Sequence, residues 1–231
     1  MYSLRTLSIY AAIAILLCVL PLAAQAQQPQ TGVIATGTST VTGTPDTAFV
    51  TFGVMNQDRD AAAAARENAT KTTAVINAIV RFGIPRNNIQ TVNYSVSPVM
   101  DYKQNPPVTV GYQVTNQVRV KTKDLTKTGQ LIDAAVGAGA NNVQSIEFTV
   151  EDPSPLRRQA LVNAIADARA KAQAMADALG VKLGRVTQVS ESVGITPRPM
   201  YAAARSEAAP TPILPGEVEI TGNVTVVYAI L

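Results

Sequence analysis

Residues 87–96 read NNIQTVNYSV, and residues 141–150 read NNVQSIEFTV. The two stretches align without a gap, with four identical positions and five pairs of similar residues. Upstream, INAIV at 76–80 parallels IDAAV at 132–136 after a shift of two residues. A match of this length predicts a duplicated unit in which a helix is followed by a turn and a strand.

The strand of the first copy has a second strand downstream as its expected partner. Within both 89–98 and 111–121, apolar residues alternate with polar ones, which predicts a long hairpin with one face exposed to water. Asn116 falls on the apolar side, so it needs a hydrogen-bond partner or a place at the margin of the core. Residues 99–110 between the strands are polar and contain a Pro-Pro pair, and we expect them to form a projecting arm.

The remaining elements follow from periodicity and turn residues. Thr-rich and Val-rich stretches at 33–41 and 48–55 flank GTPD at 43–46, which predicts a hairpin. Further strands are predicted at 186–193 and 217–229. Helices are predicted close to 58–83, 124–137 and 155–179. The sequence therefore predicts an α+β fold, with one antiparallel or mixed sheet backed by about three helices.

The last predicted helix carries a row of apolar residues at spacings of four and three. Such a row could pair two subunits as a coiled coil, but it does not continue beyond three heptads. Packing onto a sheet of the same chain is the favoured interpretation, because a sheet face needs a cover. The row consists of Leu161, Ile165, Ala168, Ala172, Met175 and Leu179.

The N-terminal residues have the features of a signal peptide. Arg5 precedes an apolar stretch from Leu7 to Leu22, and the small-residue sequence that follows predicts cleavage after Ala26. Residues 27–231 are expected to form a single domain. No later segment is continuously apolar over a membrane-spanning length, so we expect a soluble protein in the bacterial periplasm.

Composition excludes several kinds of chemistry. The chain has no histidine, and its one cysteine, Cys18, lies in the expected signal peptide. Disulfides, thiolate nucleophiles, imidazole bases and zinc sites built on these residues are therefore excluded from the exported chain. The exported chain has 18 basic and 16 acidic residues, because only Arg5 of the 19 basic residues is removed, and this balance does not indicate nucleic-acid binding. Glu217 and Glu219 could form an acid/base pair or hold a hard cation, but solvated positions on a strand are the favoured interpretation.

A second unusual segment lies at 195–214. It contains several prolines and a run of alanines. A loop of about 20 residues inside a compact domain is functional or disordered, and we expect this one to project like the first arm. Aromatic, Met and Pro residues of the two projecting segments are the candidate contacts between subunits. These residues are Tyr102, Pro106, Pro107, Met200 and Tyr201. Tyr94 and Tyr112 of the predicted hairpin are further candidates.

Several segments together resemble the SIMPL-domain family of bacterial periplasmic and outer-membrane-associated proteins. The resemblance implies an α+β domain, export to the periplasm, homo-oligomers and a role in envelope integrity and oxidative-stress defence. It allows peripheral association with the outer membrane, and it carries over no catalytic residue, cofactor or metal ligand. The matching segments are GTSTVTGTPDTAFVTFGV at 37–54, GYQVTNQVRV at 111–120, GANNVQSIEF at 139–148, DARAKAQAMADALG at 167–180 and TPILPGE at 211–217, together with Thr91, Tyr94 and Pro98.

The favoured hypothesis is a non-enzymatic envelope protein that assembles with copies of itself. Closed rings are the expected form, because head-to-tail contacts either close or continue as fibres. The alternative is a module that binds a small periplasmic ligand or a cell-wall component, and Asn116 with Tyr112 is the candidate polar pair for it. An enzyme that relies on carboxylates alone is a third, less supported hypothesis.

Overall fold

The computed structural model describes residues 32–197 and 212–231. The described residues from Val33 onward form one compact unit. Among the described residues, no helix is both long and apolar enough to cross a membrane. Two antiparallel sheets and three α-helices make up this part of the chain. In chain order the elements are β1 (Val33–Gly43), β2 (Thr47–Asp58), α1 (Ala61–Arg81), β3 (Ile89–Asp101), β4 (Val108–Thr122), α2 (Thr128–Gly137), β5 (Asn142–Thr149), α3 (Ser154–Leu179), β6 (Leu183–Pro197) and β7 (Val218–Ile230).

Four of the strands form a sheet in the order β3-β4-β2-β5. With the helices between them, β2-α1-β3 and β4-α2-β5 are two halves of a ferredoxin-like βαββαβ arrangement. The repeated segments 87–96 and 141–150 hold the corresponding outer strands β3 and β5. The predicted duplication is therefore confirmed, and it places its two copies at opposite edges of this sheet.

Large apolar side chains fill the core between this sheet and its helices. Phe52 of β2, Ile79 of α1 and Leu131 of α2 are fully buried there. Asn68 of α1 is also buried, and its amide donates to the carbonyl of Val54 over 2.9 Å. This bond lets a polar residue lie in the core without losing its hydrogen bond.

The remaining strands form a three-stranded sheet in the order β1-β7-β6, and α3 packs onto it. The predicted helix and its packing on a sheet of its own chain are confirmed. Ala168 and Ala172 of the predicted apolar row are buried, but three of its four larger residues are exposed. Ile165 is 42% exposed and Leu179 is 71% exposed. The fully buried row consists of Ala160, Ala164, Ala168, Ala172 and Ala176.

Glycines on the facing strands explain why alanines are buried. A Cβ atom added to Gly37 of β1 would lie 2.0 Å from the carbonyl oxygen of Ala164, and one added to Gly222 of β7 would lie 2.9 Å from that of Ala160. The helix backbone thus approaches the sheet so closely that only the smallest side chains fit between them. We call this contact the Gly-Ala seam.

The predicted hairpin of the first two strands is wrong. β1 pairs with β7, from Val33 opposite Tyr228 to Gly43 opposite Val218, whereas β2 pairs with β4 and β5. The turn residues between them carry the chain from one sheet to the other. Asp46 fixes this crossing, because its N–H donates to Thr149 and its carboxylate accepts from the N–H of Glu151 over 2.8 Å. The α+β class is confirmed, with two sheets in place of the single sheet expected.

Candidate functional site

The β3–β4 hairpin exposes several large apolar side chains to solvent. The two strands pair as predicted, with Tyr94 opposite Asn116 and Val96 opposite Val114. The ladder continues to Asp101 opposite Val108, so half of the predicted arm at 99–110 belongs to the two strands. Only the six residues 102–107 form the turn. Alternation of small, polar and β-branched residues on both sides of the Pro-Pro pair extends the strands further than the turn composition suggested.

Six exposed apolar residues lie on this hairpin. Tyr94 is 54% exposed, and Tyr102 at the turn is 79% exposed. Exposed apolar side chains grouped in this way are typical of interaction sites, whereas single ones are ordinary. We call this group the hairpin surface, and it consists of Val92, Tyr94, Val96, Tyr102, Val108 and Val110.

The exposure of the hairpin surface results from incomplete cover by α1. Val114 and Val118 of β4 lie in the core and are at most 1% exposed. Val96, directly opposite Val114 on β3, is 43% exposed. The side-chain oxygen of Asn116, opposite Tyr94, is buried without a hydrogen-bond partner. The apolar face of the sheet therefore continues from β4 onto β3, beyond the residues that the helix covers.

Of the residues predicted to contact other subunits, Tyr94 is exposed on β3 and Tyr112 is half-buried on β4. Tyr102, Pro106 and Pro107 are exposed in the turn of the hairpin. Met200 and Tyr201 lie outside the described residues. Within the second segment predicted to project, residues 195–197 are instead the last residues of β6, because their backbone continues the ladder with β7. Ile213, in the described end of this segment, packs its apolar side chain against the core of the four-stranded sheet and does not project.

The polar pair nominated for ligand binding does not converge. Tyr112 lies opposite Pro98, Asn116 lies opposite Tyr94, and the fully buried Val114 stands between them on β4. The two glutamates considered as an acid/base pair have different surroundings. Glu217 precedes β7 and is exposed, whereas Glu219 lies within β7 and is half-buried. Among the described residues, no group of three or more acidic side chains is placed to hold a metal ion.

The sequence did not predict a groove with basic residues that lies beside β4. A cavity of about 210 Å³ is lined by Phe49, Asn88 and Arg119, among others. The guanidinium carbon of Arg119 lies 4.2 Å from the centre of the Phe49 ring, which is a cation–π contact. Arg119 also donates to Glu147 over 2.8 Å, while its buried Nε has no partner. The signal was the spacing of two between Arg119 and Lys121, which puts both basic side chains on one face of β4, while Lys123 follows the end of the strand.

A second cavity of about 400 Å³ adjoins the first, and Asn88 and Lys121 line both. Lys123 and Lys127 also line the second cavity. Hydrogen bonds from Lys121 and Lys123 to Glu151 lower the pKa of that carboxyl from 4.5 to about 2. We call the two cavities the basic groove. Its cations are paired with acids of this chain: Arg119 with Glu147, both Lys121 and Lys123 with Glu151, and Lys127 with Asp124. An anionic ligand would therefore have to share their N–H donors with these carboxylates.

The fold and these surfaces define a two-sheet α+β protein with an exposed apolar hairpin on one side of a ferredoxin-like sheet. The family model described as SIMPL, protein of unknown function (DUF541), matches residues 33–228, and the chain belongs to this family. This confirms the resemblance found in the sequence.

Two relatives align with this chain over most of the length of both proteins. The 26 kDa periplasmic immunogenic protein of Brucella melitensis is 32% identical over 227 residues, which are 91% of this chain and 90% of that protein. The uncharacterized protein YggE of Escherichia coli strain K12 is 30% identical over 202 residues, which are 86% of this chain and 82% of that protein. The similarity therefore extends over the whole fold and is not confined to the repeat.

Proposed function

We infer that this chain is a non-enzymatic periplasmic protein that assembles with copies of itself and supports envelope integrity or oxidative-stress tolerance. The Brucella relative is named as a periplasmic protein, which supports the same location here. The signal-peptide features of residues 1–26, with cleavage after Ala26, also support export.

The observation that carries the proposal is the hairpin surface. Tyrosine is enriched in protein interfaces because it buries a large ring while its hydroxyl stays hydrated. Tyr94 and Tyr102 both lie in the hairpin surface and are more than half exposed. Pro106 and Pro107 restrict the turn beside them, which lowers the entropy lost when the turn docks. Assembly would remove this apolar area from water.

Light scattering coupled to size-exclusion chromatography tests self-assembly. Residues 27–231 should elute with a mass larger than one subunit, and the mass should increase with concentration. A protein that stays monomeric at every concentration would overturn the proposal.

A shortened hairpin tests the contribution of the turn. Replacing residues 102–107 by Asn-Gly should leave the protein folded, because Asp101 already pairs with Val108 and two-residue turns close such ladders. The assembly should become smaller. Val162→Ser in α3 is the matched control, since Val162 is 56% exposed but lies away from the hairpin in the fold. An unchanged assembly after shortening would show that the turn takes no part.

The envelope role needs a test in cells. A strain that lacks the chain should be more sensitive to detergent or peroxide, and the wild-type gene should restore resistance. The shortened-hairpin variant should restore it less well at equal abundance. Full resistance in the deletion strain would contradict the envelope role while leaving self-assembly unaffected.

The basic groove favours a second candidate function, the binding of an anionic cell-wall component. The partly free guanidinium of Arg119 over Phe49 offers a charged donor beside an aromatic face. Carboxylated and phosphorylated glycan fragments should raise the melting temperature, and Arg119→Ala should remove the effect. Lys103→Ala, at the exposed turn of the hairpin, is the control. No shift with any acidic fragment would exclude this function.

A further inference from the structure

The outer strands of the two sheets are protected to different degrees. The edge of β1 is occupied by α3, because Asp167 accepts from the N–H of Thr38 over 2.8 Å and Lys171 donates to the carbonyl of Thr36 over 3.2 Å. Charged residues also occur on the other outer strands, with Glu147 on β5 and both Arg185 and Glu191 on β6. Such charges and covers prevent a sheet edge from pairing with another chain.

Between Gln90 and Pro98, β3 lacks both kinds of protection, and its one charged residue, Asp101, lies at its end. Every residue from Gln90 to Pro98 is exposed, and none of them is charged. Its apolar residues Tyr94 and Val96 share the sheet face that α1 leaves uncovered, while Asn93, Ser95 and Ser97 lie on the opposite face. An exposed, uncharged outer strand with one apolar face is a template for pairing with a further strand.

We propose that β3 pairs antiparallel with β3 of a second copy of this chain, about a twofold axis at Ser95. This inference rests on the proposed self-assembly and names the interface and partner. The pairing puts Tyr94 opposite Val96 of the partner, twice, and Asn93 opposite Ser97 of the partner, twice. Apolar side chains then meet apolar ones on one face, and polar side chains meet polar ones on the other.

The ends of the exposed segment select this register. A bulge at Val92 interrupts the ladder with β4, and Pro98 has no N–H to donate. Pairing about Ser95 puts Val92 opposite Pro98 of the partner, so both irregularities fall at the ends of a five-residue ladder. Pairing about Tyr94 or Val96 would bring one of them inside the ladder. A shift by one residue would put apolar residues opposite polar ones.

Single cysteines measure the register directly, because the exported chain has no cysteine of its own. In Ser95→Cys, the two thiols face each other across the axis, at a distance that a disulfide can span after small adjustments. In the matched control Ser97→Cys, the two thiols are four residues out of register, about 13 Å along the strands. We expect at least about tenfold more disulfide-linked dimer from Ser95→Cys under mild oxidation. Mixing Asn93→Cys with Ser97→Cys should link the two different variants.

A charge pair gives an independent test. Val96→Lys puts a charged residue into the apolar face of the paired strands and should reduce the associated fraction, as edge lysines do. Tyr94→Glu combined with Val96→Lys should restore association, because each lysine then faces a glutamate of the partner. Both positions are exposed, so melting temperatures should confirm that the variants stay folded.

The outcomes separate this inference from the proposed function. If the wild-type chain is monomeric at every concentration, self-assembly and the β3 pairing both fail. If the wild type assembles, but Ser95→Cys and Ser97→Cys link equally or not at all, only the β3 pairing fails. Strong Ser95→Cys linkage together with rescue by the double charge variant supports the register.

Discussion

The two sheets pack against their helices in opposite ways. In the four-stranded sheet, large side chains such as Phe52, Ile79 and Leu131 fill the space to α1 and α2. In the three-stranded sheet, the Gly-Ala seam brings α3 almost into backbone contact with β1 and β7. One core is stabilised by burying much apolar area per residue, and the other by close approach of the elements themselves.

Because of this difference, we expect the large-residue core to be most sensitive to smaller side chains and the Gly-Ala seam to be most sensitive to larger ones. Removing atoms from the large-residue core leaves a cavity, and the cost grows with the cavity's volume. Adding atoms to the Gly-Ala seam leaves no space for them, so a helix or strand must move. The predictions below test this reversal.

The largest effect is expected for Gly37→Ala. Its new Cβ would lie 2.0 Å from the carbonyl oxygen of Ala164 and 2.4 Å from the backbone nitrogen of Ala168, and neither atom can rotate away. We expect a loss of about 4 kcal/mol or more in the free energy of unfolding, measured with urea. Gly194→Ala in β6 is the control, since its Cβ would meet no atom within 4 Å. Equal stability of the two variants would contradict the seam.

Phe52→Ala tests the other core and should have the next largest effect. Phe52 is 1% exposed at the centre of the large-residue core, so truncation should cost about 3–5 kcal/mol of unfolding free energy. Phe52→Leu keeps most of the volume and should cost less than about 1.5 kcal/mol. If both substitutions cost the same, cavity formation is not the cause.

Much of the fold could be predicted because the relevant signals are local. The repeat at 87–96 and 141–150 and the alternation in β3 and β4 depend on neighbouring residues, and all were confirmed. The buried face of α3 was predicted only in part, at Ala168 and Ala172. Leu161 and Ile165 are more apolar than alanine, and only the glycines of distant strands make alanine the residue that fits. Turn residues at 43–46 likewise suit a hairpin and a crossing between sheets equally well.

The candidate sites divide along the same line. Tyr102, Pro106 and Pro107 were predicted because a polar, Pro-containing segment between two strands is exposed for local reasons. Tyr94 was also predicted as a contact residue, but the exposure of Val92 and Val96 beside it was not, since their alternation is the same as that of a half-buried strand. The exposure of β3 depends on how far α1 extends over the sheet, and this extent is set by how the helix and the sheet pack together.

Ala168→Leu should have a moderate effect and separates burial from helix propensity. Ala168 is fully buried in the seam, and its Cβ lies 2.8 Å from the position that a Cβ on Gly37 would take. Leucine there should cost about 1–3 kcal/mol of unfolding free energy through overpacking. Ala170→Leu, on the exposed side of the same helix, should be nearly neutral because both residues favour helices. A similar loss at both positions would point to the helix itself and not to the seam.

The smallest effect is expected at the charged edge of the basic groove, away from either core. The hydrogen bonds from Lys121 and then Lys123 lower the pKa of Glu151 from 4.5 to about 2. A carboxyl whose pKa is lowered in the folded state adds stability above its unfolded pKa of 4.5, and loses it as the pH falls through about 2. Glu151→Gln should therefore lower the melting temperature slightly at pH 7 and hardly at all at pH 2, with the exposed Glu217→Gln as control. The side chain is well exposed, so salt at about 1 M should reduce the difference at pH 7. A difference that persists unchanged at pH 2 would show that Glu151 acts through its shape or hydrogen bonds and not through its charge.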